Sequence, residues 1–337
     1  MKVLTALVAL LCAVSMGIVL KLASGIFIPL VIAWFMLQIF NPVIALGSKI
    51  KLPPAVNLIL VFTVFFGVCY IGIIFCTTQA VEVNRIFTVY YSKLSEMVLN
   101  ITKVLQIPPE SVSDISWMDI LGRHLRDISK SIYTLISQFF LILIFFMFML
   151  LEAPSLNNKI NMAFSNPTAA KIKNIMSSIA YEISSYLGTL TLVGLATGVC
   201  VWIVLAVMDV ELAVGWSVLV FLLNYIPTVG AIISTIPPVM MAVFQFSPGY
   251  VQPIVVLLLV GTIQFVFGNI IAPKMLGDKL GLSPVIIMLS LLLWGTIWGI
   301  TGAILSVPIA SIVRIVCENF SSLSPIAVFM GNGKEKL

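Results

Sequence analysis

Thirteen consecutive residues from Phe139 to Leu151 read FFLILIFFMFMLL, and this run lies inside one of six comparably apolar stretches. A helix needs about 20 mostly apolar residues to cross a bilayer. The stretches Val3–Leu20, Ile26–Leu46, Pro54–Cys76, Ile132–Leu151, Tyr186–Met208 and Tyr250–Ile271 meet that requirement or approach it. Lys2 ahead of the first stretch also allows a signal peptide, but the next span begins a few residues later. Helices are the economical solution, because each satisfies its own backbone groups away from water. The expected fold is therefore all-α: a polytopic transmembrane helical protein of about eight spans, with lipid as its first partner.

Composition supports this. Hydrophobic residues make up 61% of the 337 and charged residues only 9%, against about 25% charged in a soluble domain. A water-soluble chain of this size has nowhere to bury so much apolar side chain. No basic run is present, which argues against nucleic acid as a partner. The five cysteines have no metal-ligand spacing and read as small apolar packing residues, and the single His124 lies in a polar segment. No nucleophile elbow, Walker loop or HExxH is present, so neither an enzyme nor a self-powered ATP pump is expected, and no cofactor or metal is implied.

Two further apolar stretches have awkward lengths. Glu211–Phe246 is about 36 residues and Pro284–Val316 about 33, too long for one ordinary span and short for two. Each is interrupted, the first at Asn224-Tyr225-Ile226-Pro227-Thr228-Val229-Gly230 and the second at Trp294-Gly295-Thr296-Ile297-Trp298-Gly299. Both read as hairpins of short or re-entrant helices in the C-terminal half. Short loops assigned to one side carry Lys2, Lys49, Lys51, Lys159, Lys171, Lys173, Lys274, Lys279, Arg314, Lys334 and Lys336. The other side has Lys21 and one long insertion whose bases are balanced by acids. The positive-inside rule then places both termini in the cytoplasm.

The chain divides accordingly into a three-span region (1–76), an extracytoplasmic helical insertion (77–131), a fourth span with a linker helix (132–185), a membrane transport core (186–323) and a cytoplasmic tail (324–337). In the insertion, Ile86, Phe87, Tyr90, Leu94, Met97, Val98 and Ile101 recur at three- and four-residue spacing, so an amphipathic helix is expected up to Pro108-Pro109. A second runs from Trp117 to Lys130. This pair either packs on its own protein or forms an oligomer contact or vestibule. In the linker, Asn166-Pro167 marks a turn, and Ile172, Ile175, Met176 and Ile179 suggest an interfacial helix before the fifth span.

Ionisable residues are nearly absent from the apolar stretches. Arg314 and Glu318 are four apart near the end of the last one and read as an i,i+4 pair. The remaining polar groups are uncharged, among them Gln38, Asn57, Thr191, Asn224, Gln264 and Asn269. They can hydrogen-bond a neutral solute or bond other helices. Transporters place their sites at broken helices, where freed backbone faces a cavity. The candidate pathway residues are Asn224, Tyr225, Pro227 and Gly230 at the first break, Gln264, Asn269 and Pro273 in and after the next span, and Trp294, Gly295, Trp298 and Gly299 at the second break. The two Trp could plug a pathway or anchor at the membrane surface.

At these breaks the sequence is similar to a known family. LNYIPTVGAIISTIPP (Leu223–Pro238), GNIIAPKMLGDKLGLSP (Gly268–Pro284) and LSLLLWGTIWGITGAILSVPIASIVRIV (Leu289–Val316) resemble the autoinducer-2 exporter family of permeases. FMLLEAPSL (Phe148–Leu156) and the SPIAV of the C-terminal region extend the resemblance over essentially the whole chain. It looks closest to the branch holding the autoinducer-2 exporter itself. The resemblance implies eight passes, cytoplasmic termini in a bacterial inner membrane, a homo-oligomer and export of a small polar solute. Family members have also been linked to sodium(lithium)/proton antiport. Many carry an acid near the proline corresponding to Pro273; here Phe267 and Ala272 occupy that stretch and Asp278 is the first acid beyond it. A non-transport envelope scaffold using residues 77–131 is the third reading.

Overall fold

A computed structural model describes residues 2–50, 53–104, 117–226, 229–276 and 281–333. Pro227, Asp278, Pro108-Pro109 and the tail beyond 333 lie outside the described residues, as do the side chains of the insertion beyond Ile86. The described residues are helical almost throughout, with one isolated β-bridge, between Leu282 and Gly331. Among the described residues, six helices are long and apolar enough to cross a membrane, or up to seven spans if the bent pair formed by the first two helices counts as one.

Helices α1 (Lys2–Leu22) and α2 (Ser24–Lys49) meet at Ala23 in a bend of 90°. The sequence reading placed a short loop at Lys21–Gly25; the structure replaces it with this single-residue elbow. Helix α3 (Pro54–Val104) is 51 residues long and α4 (Trp117–Ala163) is 47. The third span therefore continues without interruption into the first helix of the polar insertion, and the second insertion helix continues into the fourth span. Helix α5 (Asn166–Val207) likewise joins the linker helix to the fifth span, and the expected turn precedes it at Phe164-Ser165. Hydropathy marks where a helix leaves lipid, not where its backbone hydrogen bonding stops, which explains all three differences.

After α5 come α6 (Ala213–Leu223), α7 (Val229–Phe246), α8 (Val251–Val266), a π turn at Phe267–Ile271, α9 (Ala272–Leu276), α10 (Pro284–Asn319) and α11 (Ser324–Met330). Ser283 is extended (φ −67°, ψ 140°) and Pro284 opens α10, where its missing N–H costs nothing. The chain forms two compact units. One comprises residues 1–61, 137–190 and 273–337, the other 62–136 and 191–272.

The core of the first unit gathers Phe35, Ile183, Tyr186, Leu187, Trp298, Leu305 and Ala310. That of the second gathers Val201, Leu205, Val220, Met241, Ala242, Val256 and Val260, with Ile86 of the insertion packed among them. At Ile86 the insertion thus packs on its own protein. Elsewhere large apolar side chains face outward, including Tyr70, Ile71, Val207, Leu258 and Ile300. Only 11% of the apolar window of Ile59–Gln79 is buried, so lipid must solvate the rest of that helix.

Candidate functional site

Each interrupted stretch folds back on itself, and each does so within one unit. In the second unit α6 ends in a turn at Asn224–Ile226, and α7 begins at Val229. Gln245, at the far end of α7, accepts from the Glu211 backbone N–H at 2.9 Å and donates to the Asp209 carbonyl at 2.6 Å. The start of one arm therefore meets the end of the other, which defines an antiparallel hairpin. At its turn, Gly230 lies so close to the Leu223 carbonyl that a Cβ would overlap it. Glycine at 230 thus meets a close-approach requirement. Pro227 lies outside the described residues.

Polar groups collect at this turn. The Tyr225 hydroxyl is 2.7 Å from Thr191 Oγ1, and its ring packs edge-on against Phe221. One helix further on, Gln264 Nε2 donates to Ser234 Oγ at 2.8 Å, and both side chains are buried. Gln264 therefore ties α8 to α7. Ser234 was missed in sequence, because a serine in an apolar helix usually bonds its own backbone. Asn269 sits in the π turn, exposed, with Nδ2 donating to the Phe265 carbonyl at 3.2 Å. π turns occur often at functional sites. Asn57 of the uncharged set acts between helices, donating to the Ile44 carbonyl at 3.0 Å.

In the first unit α10 is two helices joined at Gly299, whose φ of 64° and ψ of −142° lie outside the helical region. The Ser290 hydroxyl donates to the Ser306 carbonyl at 2.7 Å, and Gly302 presses on the Trp294 carbonyl. Both pairs are centred on Trp298, so the arms run antiparallel with Trp298-Gly299 at the tip. The first arm, Pro284 to Trp298, rises about 22 Å, less than the ~30 Å hydrocarbon core. Trp298 is buried and donates Nε1–H to the Leu20 carbonyl at 3.0 Å, one turn before the α1–α2 elbow. Trp294 stacks on it obliquely, with ring centroids 4.8 Å apart. A Cβ on Gly295 would meet nothing within 4 Å, and the close approach in this hairpin is at Gly302. Pro273 is exposed in α9.

At the other end of this hairpin is a cluster that sequence reasoning captured only in part. Arg314 is buried and pairs with Glu318 at 2.6 Å. Its guanidinium occupies the space a Cβ would need on Gly281, which has φ 54°. Ser311, three residues earlier, donates to Glu182 Oε2 at 3.2 Å. Glu182 looked like a linker residue; only tertiary packing brings it to α10. Among the described residues no group of three His, Cys, Asp or Glu could hold a metal ion.

Apolar helices, hairpins broken near their middles and uncharged polar groups at the breaks define a multi-pass helical membrane protein of transporter type. The sequence profile of the AI-2E family transporters matches residues 4–322, and the chain belongs to that family. It is 30% identical over 323 residues to a provisionally named transport protein of Haemophilus influenzae (strain Rd), covering 93% of this chain and 92% of the relative. Escherichia coli (strain K12) YhhT, also provisionally named a transport protein, is 30% identical over 321 residues, with 93% and 90% covered. The AI-2 transport protein TqsA of Escherichia coli (strain K12) is 29% identical over 337 residues, with 97% and 93% covered.

Proposed function

We propose that this permease exports a small, polar, uncharged solute of the autoinducer-2 kind across the bacterial inner membrane, passively or with weak coupling. The observation that carries the reading is the α6–α7 turn. There a helix break sits beside the Tyr225–Thr191 hydroxyl pair, and no residue from Asn224 to Gly230 carries a charge at neutral pH. Such a turn offers donors and acceptors to a hydroxylated solute and no charge to attract an ion. The name of the relative TqsA supports the choice of solute. In this reading Asn224, Tyr225, Pro227, Gly230, Gln264, Asn269 and Pro273 line the path in the transport core 186–323. Trp294, Gly295, Trp298 and Gly299 form its gate. Both termini are cytoplasmic, the working form is a homo-oligomer, and residues 77–131 face outward. Purified protein in proteoliposomes should release preloaded autoinducer-2 faster than empty liposomes, without an imposed ion gradient. Equal rates would defeat the solute assignment, and no flux of any solute would favour an envelope scaffold.

A sodium(lithium)/proton antiporter is the second reading, favoured by one observation. Buried Arg314, its partly exposed partner Glu318 and the Ser311–Glu182 contact give α10 the ionisable cluster that antiport requires. Sodium-driven pH change in the same proteoliposomes, abolished in Glu182→Gln, would favour it.

A further inference from the structure

Two cavities in the first unit adjoin one another. The first, about 310 Å³, lies between α2, the tip of the α10 hairpin and its returning arm, with Trp34, Phe35, Trp298 and Ile312 in its wall. The second, about 360 Å³, lies between α2 and α4 and reaches Glu152 and Leu156. Trp34 and Met149 line both, so the two form one trough. On α2 its wall uses Leu30, Trp34 and Leu37, a single face at four- and three-residue spacing and about 10 Å long. The upper part is walled by apolar and aromatic side chains. The lower end is different in kind: Glu152 is in contact with Lys159 two turns along α4, and both side chains are more than half exposed. Glu152 is also where the apolar run of α4 stops.

We infer that this trough is a binding site for one phospholipid with a zwitterionic headgroup, one of its two acyl chains between Trp34 and Met149 and its headgroup at the Glu152–Lys159 pair. In a membrane an acyl chain gains little by leaving bulk lipid for an apolar groove, since lipid tails are as apolar as leucine. Retention therefore depends on shape and on the polar end. There the chain presents one carboxylate and one ammonium side by side. A phosphoethanolamine headgroup is the complement of that arrangement, with its phosphodiester to Lys159 and its ammonium to Glu152. A purely anionic headgroup satisfies Lys159 but faces Glu152 with like charge. The first cavity ends at Trp298, so an occupant would touch the hairpin tip whose indole holds the Leu20 carbonyl.

The test uses the full chain in nanodiscs containing phosphatidylethanolamine that carries a photoactivatable diazirine in its acyl chain. Adducts are mapped by peptide mass spectrometry. The expected result is enrichment on the α2 and α4 trough residues over the equally apolar exposed face at Leu257 and Leu258. Labelling there should be lost in Met149→Trp, which fills the junction, and in Ala153→Phe, which fills the lower cavity from a smaller residue. Two variants guard against a folding defect, and either with a native elution volume suffices. Glu152→Lys should shift preference from phosphatidylethanolamine to phosphatidylglycerol carrying the same probe. Uniform labelling of all apolar faces would overturn the inference, since it would mean annular lipid only. Equal labelling by the two headgroups in the unsubstituted protein would also overturn it. So would disulfide cross-linking between two chains through Ala153→Cys, which would make the trough an interface between copies.

Discussion

The Ser290 hydroxyl bonds the main-chain carbonyl of Ser306, 16 residues away, at 2.7 Å in a buried setting. That bond closes the two arms of α10 on each other and places Trp298-Gly299 at the tip. A stretch that hydropathy reads as one overlong span is thereby a hairpin, and its glycines acquire different roles.

Gly302→Ala should be clearly destabilising, because its Cβ would collide with the Trp294 backbone, whereas Gly295→Ala meets open space. The expected contrast is a loss of about 1–3 kcal/mol at Gly302 from overpacking against a change within about 1 kcal/mol at Gly295. Thermal unfolding in detergent measures both. Equal Tm values for the two variants would remove the hairpin geometry.

Gly299→Leu acts through the backbone. No neighbouring atom lies within 4 Å of a Cβ built there, but φ 64° with ψ −142° is a region side chains avoid. The strain is about 1–3 kcal/mol. Under the gate reading it should alter flux in reconstituted, folded protein, and a cysteine at Thr296 should label slowly from outside. Rapid labelling with normal flux would exclude a gate.

Gln264→Leu removes the bond to Ser234 between α8 and α7. Such bonds are worth about 0.6 kcal/mol in membrane proteins, with a maximum near 1.7. A Tm shift of a few degrees is expected, alongside a larger loss of polar-solute flux if Gln264 also lines the path. Asn269→Leu breaks only a local bond to Phe265 and should leave the Tm unchanged while reducing flux. Normal flux per folded molecule would make both packing residues.

Arg314→Gln leaves Glu318 without its partner and empties the space against Gly281. Glu318 is more than a third exposed, so its stranded charge is solvated and loss of the pair itself is expected to cost only about 1 kcal/mol. Gly281 also anchors the C-terminal segment, accepting from the Asn332 N–H at 2.9 Å. Faster proteolysis of the tail in Arg314→Gln is the measurement, and unchanged proteolysis with unchanged Tm would count against the anchoring role.

Orientation is tested with cysteines in a background free of Cys12, Cys69, Cys76, Cys200 and Cys317. Ser95→Cys should react with an impermeant thiol reagent on intact cells, and Asn158→Cys only after permeabilisation. The reverse pattern would invert the topology.

Much of the fold was legible because lipid imposes a simple rule on sequence. Apolar runs of about 20 residues must be helices, and interruptions such as Asn224–Gly230 and Trp294–Gly299 must be turns. Helix ends were not legible at α3, α4 and α5, because polar and apolar sequence can share one unbroken hydrogen-bond ladder. The elbow at Ala23 had no signal beyond Lys21 and Gly25, since its sharpness depends on what packs around it.

The sequence by itself determined the class, the membrane environment and the positions of the two hairpin breaks, because these follow from local composition and backbone chemistry. Tertiary structure alone decided which polar residues meet. Ser234 with Gln264, Tyr225 with Thr191, Trp298 with the Leu20 carbonyl and Ser311 with Glu182 are contacts between elements that no periodicity encodes. A hydrogen bond needs a partner at about 3 Å, and in a bundle of uniformly apolar helices only packing specifies which face turns toward which.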